Sequence, residues 1–101
     1  MTRRPWMLLA AALALSPSPE TRAQNADPRL LSLSCAGCHG PSGHSPGTIP
    51  SLYGRTAGSI ADTMRAFRAD RLPSTVMGRI AKGYNDAEID ALAQEIAASW
   101  K

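Results

Sequence analysis

Two cysteines and a histidine lie within five residues, Cys35-Ala36-Gly37-Cys38-His39, and this string carries the strongest chemical signature in the 101-residue chain. C-x-x-C-H is the attachment signature of c-type haem. Two thiols three positions apart suit the two vinyl groups on one haem edge, and the adjacent imidazole is then held beneath the iron. Ala36 and Gly37 are small enough to let the backbone approach a porphyrin. Other chemistries use the same residue types. A thiol–disulfide site normally follows a strand at a helix start, and no strand pattern precedes Cys35. Zinc would take Cys35, Cys38, His39 and His44, yet zinc fingers place about a dozen residues between their ligand pairs. A structural disulfide between residues so close cannot staple distant parts of the chain. The spacing favours haem.

An iron held by His39 needs a sixth ligand or an open position. His44, Met64 and Met77 are the candidates, since Met1 and Met7 belong to the N-terminal leader described below. His44 is only five residues past His39 in a Gly/Pro-rich loop and reads as a surface histidine. Met64 fits a helical stripe with Ile60 and Phe67 and reads as core. Met77 lies in a loop 38 residues beyond His39, enough chain to cross the haem. Its thioether is a soft ligand, and His/Met ligation raises the potential. With both axial positions filled by protein, no residue is assigned a catalytic role. The expected work is one-electron transfer, as a carrier subunit of an oxidoreductase rather than as a catalyst by itself.

Three main helices are predicted to position these residues, giving an all-α domain. Asp27-Pro28 starts the first, because an aspartate caps free amides and proline suits the first helical position. Leu30, Leu31 and Leu33 then supply apolar contacts as the helix runs into Ser34 and Cys35. From Gly40 to Gly58 the chain holds five glycines and three prolines, a long loop that needs something to wrap around. Ser59 and Asp62 resemble a capping box for a second helix reaching about Asp70, with Ile60, Met64 and Phe67 on one face. After Pro73, Thr75–Gly83 reads as a loop with one helical turn. Asn85 and Glu88 cap a last helix whose stripe is Ile89, Leu92, Ile96 and Trp100. No segment alternates like a strand.

The N-terminus has a different purpose. Arg3 and Arg4 precede an apolar run from Trp6 to Leu15, and Ser16-Pro17-Ser18-Pro19 follows. That pattern is a secretory signal peptide, residues 1–23, with cleavage expected after Ala23 and Ala26 as a second candidate. The run falls short of the ~20 apolar residues that a membrane span needs. Residues 24–101 form the mature domain, placed in the periplasm. Losing Arg3, Arg4, Arg22 and Glu20 takes the formal charge from +3 to +1, which removes the case for a nucleic-acid-binding face. Only four aromatics remain, a thin core for an independent domain. A covalent porphyrin supplies the missing apolar surface, and the sequence predicts a cavity lined by Cys35, Cys38, His39 and Met77. Between residues 55 and 82, Arg55, Arg65, Arg68, Arg71, Arg79 and Lys82 outnumber Asp62 and Asp70. They form either a solvated surface or a mildly basic face toward a partner or the haem propionates.

On these motifs the chain resembles the class I monohaem cytochromes c, small helical folds wrapped around covalent haem. The resemblance covers residues 28–101. It implies that His39 is the proximal ligand and Met77 the distal one. It also puts Trp100 and the Leu30/Leu31 face where the first and last helices cross. Cys35–Gly43, Ile49-Pro50-Ser51-Leu52, Phe67-Arg68 and above all Pro73-Ser74-Thr75-Val76-Met77-Gly78-Arg79-Ile80-Ala81-Lys82-Gly83-Tyr84 are similar to the cytochrome subunits of flavocytochrome c sulfide dehydrogenases. That similarity implies one haem c on this chain and a flavoprotein partner that carries FAD and oxidises sulfide. Cytochromes of the c4 and c5 type share parts of the string, so a freestanding shuttle between respiratory complexes is the alternative. Unlike dihaem members, this chain has one C-x-x-C-H.

Overall fold

The computed structural model describes residues 26–101, and the expected signal peptide lies outside them. Four α-helices and one 3₁₀ turn follow in the order α1 (Pro28–His39), the turn (Pro41–Gly43), α2 (Ala57–Arg68), α3 (Met77–Ala81) and α4 (Asp86–Ser99). There is no strand among the described residues. The architecture is all-α, as the sequence predicts. None of these helices is long and apolar enough to cross a membrane.

Helix α4 is the organising element. Asn85 accepts from the Glu88 amide at 2.8 Å, and the Glu88 carboxylate accepts from the Asn85 amide at 3.1 Å, a complete capping box. The predicted stripe faces inward: Ile89, Leu92 and Ile96 are almost fully buried, and Trp100 nearly so. Helices α1 and α2 both pack on α4. Ile60, Ala61 and Met64 of α2 and Ala81 of α3 complete the buried core. Burying a large aliphatic side chain contributes roughly 1.5–3 kcal/mol, so these few residues dominate the stability of the bundle.

Three local expectations are corrected. First, α1 continues four residues past Cys35 to His39, with Asp27 capping the Arg29 amide at 2.9 Å. Its inner face is Leu31, Ser32, Cys35 and Ala36, and Leu30 and Leu33 are 65% and 66% exposed. A helix turns 100° per residue, so three leucines within four positions cannot share one face. Only Leu31 joins the packing of α1 against α4. Second, α2 starts earlier. Thr56 is its cap, accepting from the Ser59 amide at 3.1 Å, while the Ser59 hydroxyl accepts instead from Arg55 at 2.8 Å. Third, the long Gly/Pro segment contains the 3₁₀ turn and folds back on the bundle. Gly43 is pinned there at φ +74°, where an added Cβ would meet Trp100 Cε3 at 2.7 Å and the Tyr53 amide at 2.8 Å.

Candidate haem site

Helix α1 delivers three side chains to one place. Cys35, Cys38 and His39 stand at i, i+3 and i+4, neighbouring positions on a helix surface. All three line a cavity of about 760 Å³ whose walls are mostly apolar. Cys35 is half-buried and Cys38 exposed, and both are free thiols. Burial pushes the Cys35 thiol above its ordinary value, outweighing the hydrogen bonding that favours the thiolate. A thiol–disulfide centre requires the opposite shift, toward an activated thiolate. Zinc fares no better, since no group of three or more His, Cys, Asp or Glu side chains among the described residues is placed to hold a metal ion.

His39 is the last residue of α1, and the chain turns sharply behind it. Gly40 takes φ +89°, and a side chain there would run into the His44 carbonyl. That turn sends the following loop back over the cavity, where the Pro50 carbonyl lies 2.6 Å from His39 Nδ1. A carbonyl only accepts, so the proton sits on Nδ1 and Nε2 keeps its lone pair. This is the arrangement by which an outer hydrogen bond fixes the tautomer of a metal-binding imidazole. The loop itself is fastened by Leu52 N to Gly43 O at 2.9 Å and Ser45 N to Ser51 Oγ at 3.0 Å.

Met77 stands on the other wall. It is the first residue of α3, half-buried, and it lines the same cavity. Helices α1 and α3 make no contact with each other, so the cavity is what lies between them. Two polar ties hold the α3 wall. The Ser74 hydroxyl accepts from the Gly78 amide at 2.8 Å. Lys82 bridges Asp70 Oδ1 at 2.5 Å and the Gly78 carbonyl at 3.2 Å. The other two candidate ligands behave differently. Met64 also touches the cavity but is buried in the core of α2. His44 is exposed and absent from the lining. It stacks on Tyr53 with centroids 4.0 Å apart and reaches the Lys101 carbonyl at 3.3 Å.

The described donors fit a haem: two thiols at attachment spacing, an imidazole with a free Nε2, a thioether across an apolar cavity, and one guanidinium in the wall. No protein-family model matches the chain. Over 85 residues, 84% of this chain and 73% of the relative, it is 45% identical to the cytochrome subunit of sulfide dehydrogenase from Chlorobaculum tepidum. The chain belongs to this family of cytochromes. Its work is electron transfer and its cofactor is a haem. A second relative is the thiosulfate dehydrogenase electron acceptor of Stutzerimonas stutzeri, 34% identical over 67 residues. That match covers 62% of this chain but only 31% of the relative's length.

Two parts of the cytochrome's site were not foreseen. The Pro50 carbonyl has no side-chain signature, because any residue supplies a carbonyl, and only the fold brings it to His39. Arg55 was one of six basic residues with no mark to separate it from the rest. The other five end elsewhere: Arg65 and Arg68 pair with Asp86 and Asp90 across α2 and α4, Lys82 ties the α3 wall, and Arg71 and Arg79 are exposed.

Proposed function

We propose that this chain holds a single haem c through thioethers from Cys35 and Cys38, with His39 as proximal and Met77 as distal ligand. The cavity shared by these four side chains is the observation that carries the reading. When bound, the haem supplies one reversible electron at its iron. The protein's part is to hold and shield it. Cys35 and Cys38 fix its edge, and Pro50 keeps the His39 imidazole in the tautomer that offers Nε2. Met77 would supply the second protein ligand to the iron and so keep substrate from it. The apolar walls keep water away, and the soft thioether favours the reduced state and so a higher potential.

The expected donor is the sulfide-oxidising subunit of a sulfide dehydrogenase, as the name of the Chlorobaculum tepidum relative suggests. The resemblance to flavocytochrome c subunits implies that it carries FAD. Oxidising hydrogen sulfide ion to sulfur releases one proton and two electrons. A carrier with one haem therefore accepts one electron at a time and turns over twice per sulfide. The basic leader and apolar run of residues 1–23 suit export to the periplasm, where such a pair would meet. The match to an electron acceptor of another dehydrogenase keeps a second reading in view, a freestanding shuttle between redox proteins.

Purification of the native chain from periplasm separates the two readings. FAD copurifying in a fixed ratio to haem supports the subunit, and a lone haem protein supports the shuttle. A pyridine haemochrome spectrum without a c-type band overturns both. For the axial ligand, Met77→Ala should abolish the weak near-infrared sulfur-to-iron band and lower the potential. A band that survives in this variant transfers the role to Met64.

A further inference from the structure

Helix α2 ends on a residue that its backbone does not favour. The Asp70 amide donates to the Phe67 carbonyl at 3.1 Å and the Arg71 amide to the Ala66 carbonyl at 2.9 Å, the Schellman closure of a helix. The residue at the turning point takes a left-handed backbone, and glycine is its ordinary occupant. Here it is Asp70, at φ +56°. Its carboxylate also stands beside the last carbonyls of α2, at the negative end of the helix dipole. Both features are unfavourable, so the aspartate is explained by what its side chain reaches. Asp70 Oδ1 accepts from Lys82 Nζ at 2.5 Å, and the same ammonium donates to the Gly78 carbonyl at 3.2 Å. The N–H of the Met77–Gly78 peptide donates to Ser74 Oγ at 2.8 Å. A Cβ at Gly78 would lie 3.1 Å from Ser74 Oγ and 3.7 Å from Asp70 Oδ1. The backbone that carries Met77 is thus seated against the end of α2.

We infer that Asp70 and Lys82 are positioning residues for the distal ligand. Their ion pair latches α3 to the end of α2 and so keeps the Met77 thioether at the iron against small anions that bind haem. The inference rests on the haem and Met77 reading above, and it gives a role to two side chains that do not line the cavity. An anion enters only when the Fe–S bond to Met77 opens, and Met77 moves only as far as its backbone allows. Hydrosulfide, the substrate expected of the partner, is an anion of this kind. Exchanging a neutral thioether for an anion transfers no electron. The pair is half-exposed on the lysine side and more so on the aspartate side, so its hold on the opening equilibrium is about threefold.

The test uses the purified ferric holo-cytochrome and cyanide, with Asp70→Gly, Lys82→Gln and their combination. Asp70→Gly should take up cyanide about threefold faster than wild type, followed as loss of the weak near-infrared sulfur-to-iron band. Its urea midpoint should stay near wild type, since glycine suits the left-handed turn and offsets the lost ion pair. Lys82→Gln leaves that turn untouched and should be about as fast. The double variant should be no faster than either single, because one latch is broken only once. The two substitutions change the surface charge in opposite senses, so a simple field on the incoming anion would split them. Rates that move in opposite directions overturn the inference, and so do unchanged rates at full haem content. A cyanide rate that rises only together with a fallen urea midpoint marks a merely structural tie and overturns it too. A wild-type chain without the c-type haemochrome or the sulfur-to-iron band fails earlier, at the haem and Met77 reading itself.

Discussion

The two halves of this small domain are stabilised in different ways. Where α1 and α2 pack on α4, apolar side chains satisfy one another: Ile89, Leu92 and Ile96 are buried to within 2%. The other half, the loop after Gly40 and the segment from Pro73 through α3, reaches the bundle through the packing of α3 on α2, where Ala81 is fully buried, and is otherwise held by single polar contacts around a cavity. There Val76 and Ile80 line the wall and yet are 53% and 43% exposed. The first half is a core made by the chain alone. The second has its apolar surface arranged for a ligand, and its ties (Ser74 to Gly78, Lys82 to Asp70, Pro50 to His39) set position more than stability. A few buried residues cannot offset the ordering of so many loop residues, each costing roughly 1–2 kcal/mol in backbone entropy. The haem, covalent on the reading proposed above, therefore belongs to the stability of both halves.

The largest test of that asymmetry removes the attachment. Replacing Cys35 and Cys38 with alanine should abolish covalent haem, read as loss of the c-type haemochrome, and should also remove most of the far-ultraviolet helical signal. If α4 and its partners keep full hydrogen-exchange protection in that variant, the core is self-sufficient and the dependence drawn above is wrong. The next effect belongs to the packed half alone. Ile89 is fully buried and does not line the cavity. Ile89→Ala should cost about 2–5 kcal/mol in denaturant unfolding of the holo-protein. Its visible spectrum and potential should stay near wild type. A large shift in potential would show that the two halves are not separable.

How far these halves were legible beforehand follows the same division. Helix α4 could be read residue by residue, because a capping box and a stripe at spacings of three and four are local patterns. The C-x-x-C-H string and Met77 were legible as chemistry, since thiols, imidazoles and thioethers are few and distinctive. Leu30 and Leu33 misled, because composition says apolar whereas helical phase decides which side is inward. Thr56 and Ser59 are two hydroxyls three residues apart, and either could cap. The choice fell to Thr56 once Arg55 engaged the Ser59 hydroxyl, a contact set by tertiary structure. Pro50 was invisible for a related reason: its contribution is a backbone atom eleven residues beyond His39, brought back by the turn at Gly40.

A smaller effect probes the seam between the halves. Gly43 sits at φ +74° where a side chain would run into Trp100 and the Tyr53 amide, while its carbonyl accepts from the Leu52 amide. Gly43→Ala adds a methyl where 2.7 Å separates it from Trp100 Cε3, on a backbone conformation that alanine disfavours. Strain of this kind costs of order 1–3 kcal/mol. Urea titration should show that loss. Hydrogen exchange should place the loosening in residues 43–54 and at Trp100, and not in α3. Protection lost first around Met77 would mean that the loop and the α3 wall move as one body.

The smallest effect lies on the outer surface of the packed half, where Asp86 is approached by Arg68 at 2.5 Å and Arg65 at 3.1 Å. Hydrogen bonds from Arg68 first and Arg65 second hold the Asp86 carboxyl below its ordinary range. A folded-state value below the unfolded one means that the ionised form is favoured by folding. The contribution is therefore complete above the unfolded value, near 3.9, and is lost as pH falls from there through the lowered folded value. Asp86→Asn should accordingly reduce stability slightly at pH 7. The gap to wild type should close in acid below about pH 4, with no dependence between pH 6 and 8 from this group. Because the pair is solvent-exposed, raising salt from low ionic strength should shrink the gap at pH 7 as well. Since Asp86 is also the first residue of α4, part of any loss could come from the helix N-terminus, where an acidic side chain is favourable. Arg68→Gln separates the two: it removes the principal partner and leaves the charge at the helix start. If Arg68→Gln leaves stability unchanged while Asp86→Asn lowers it, the helix terminus and not the ion pair is what Asp86 supports.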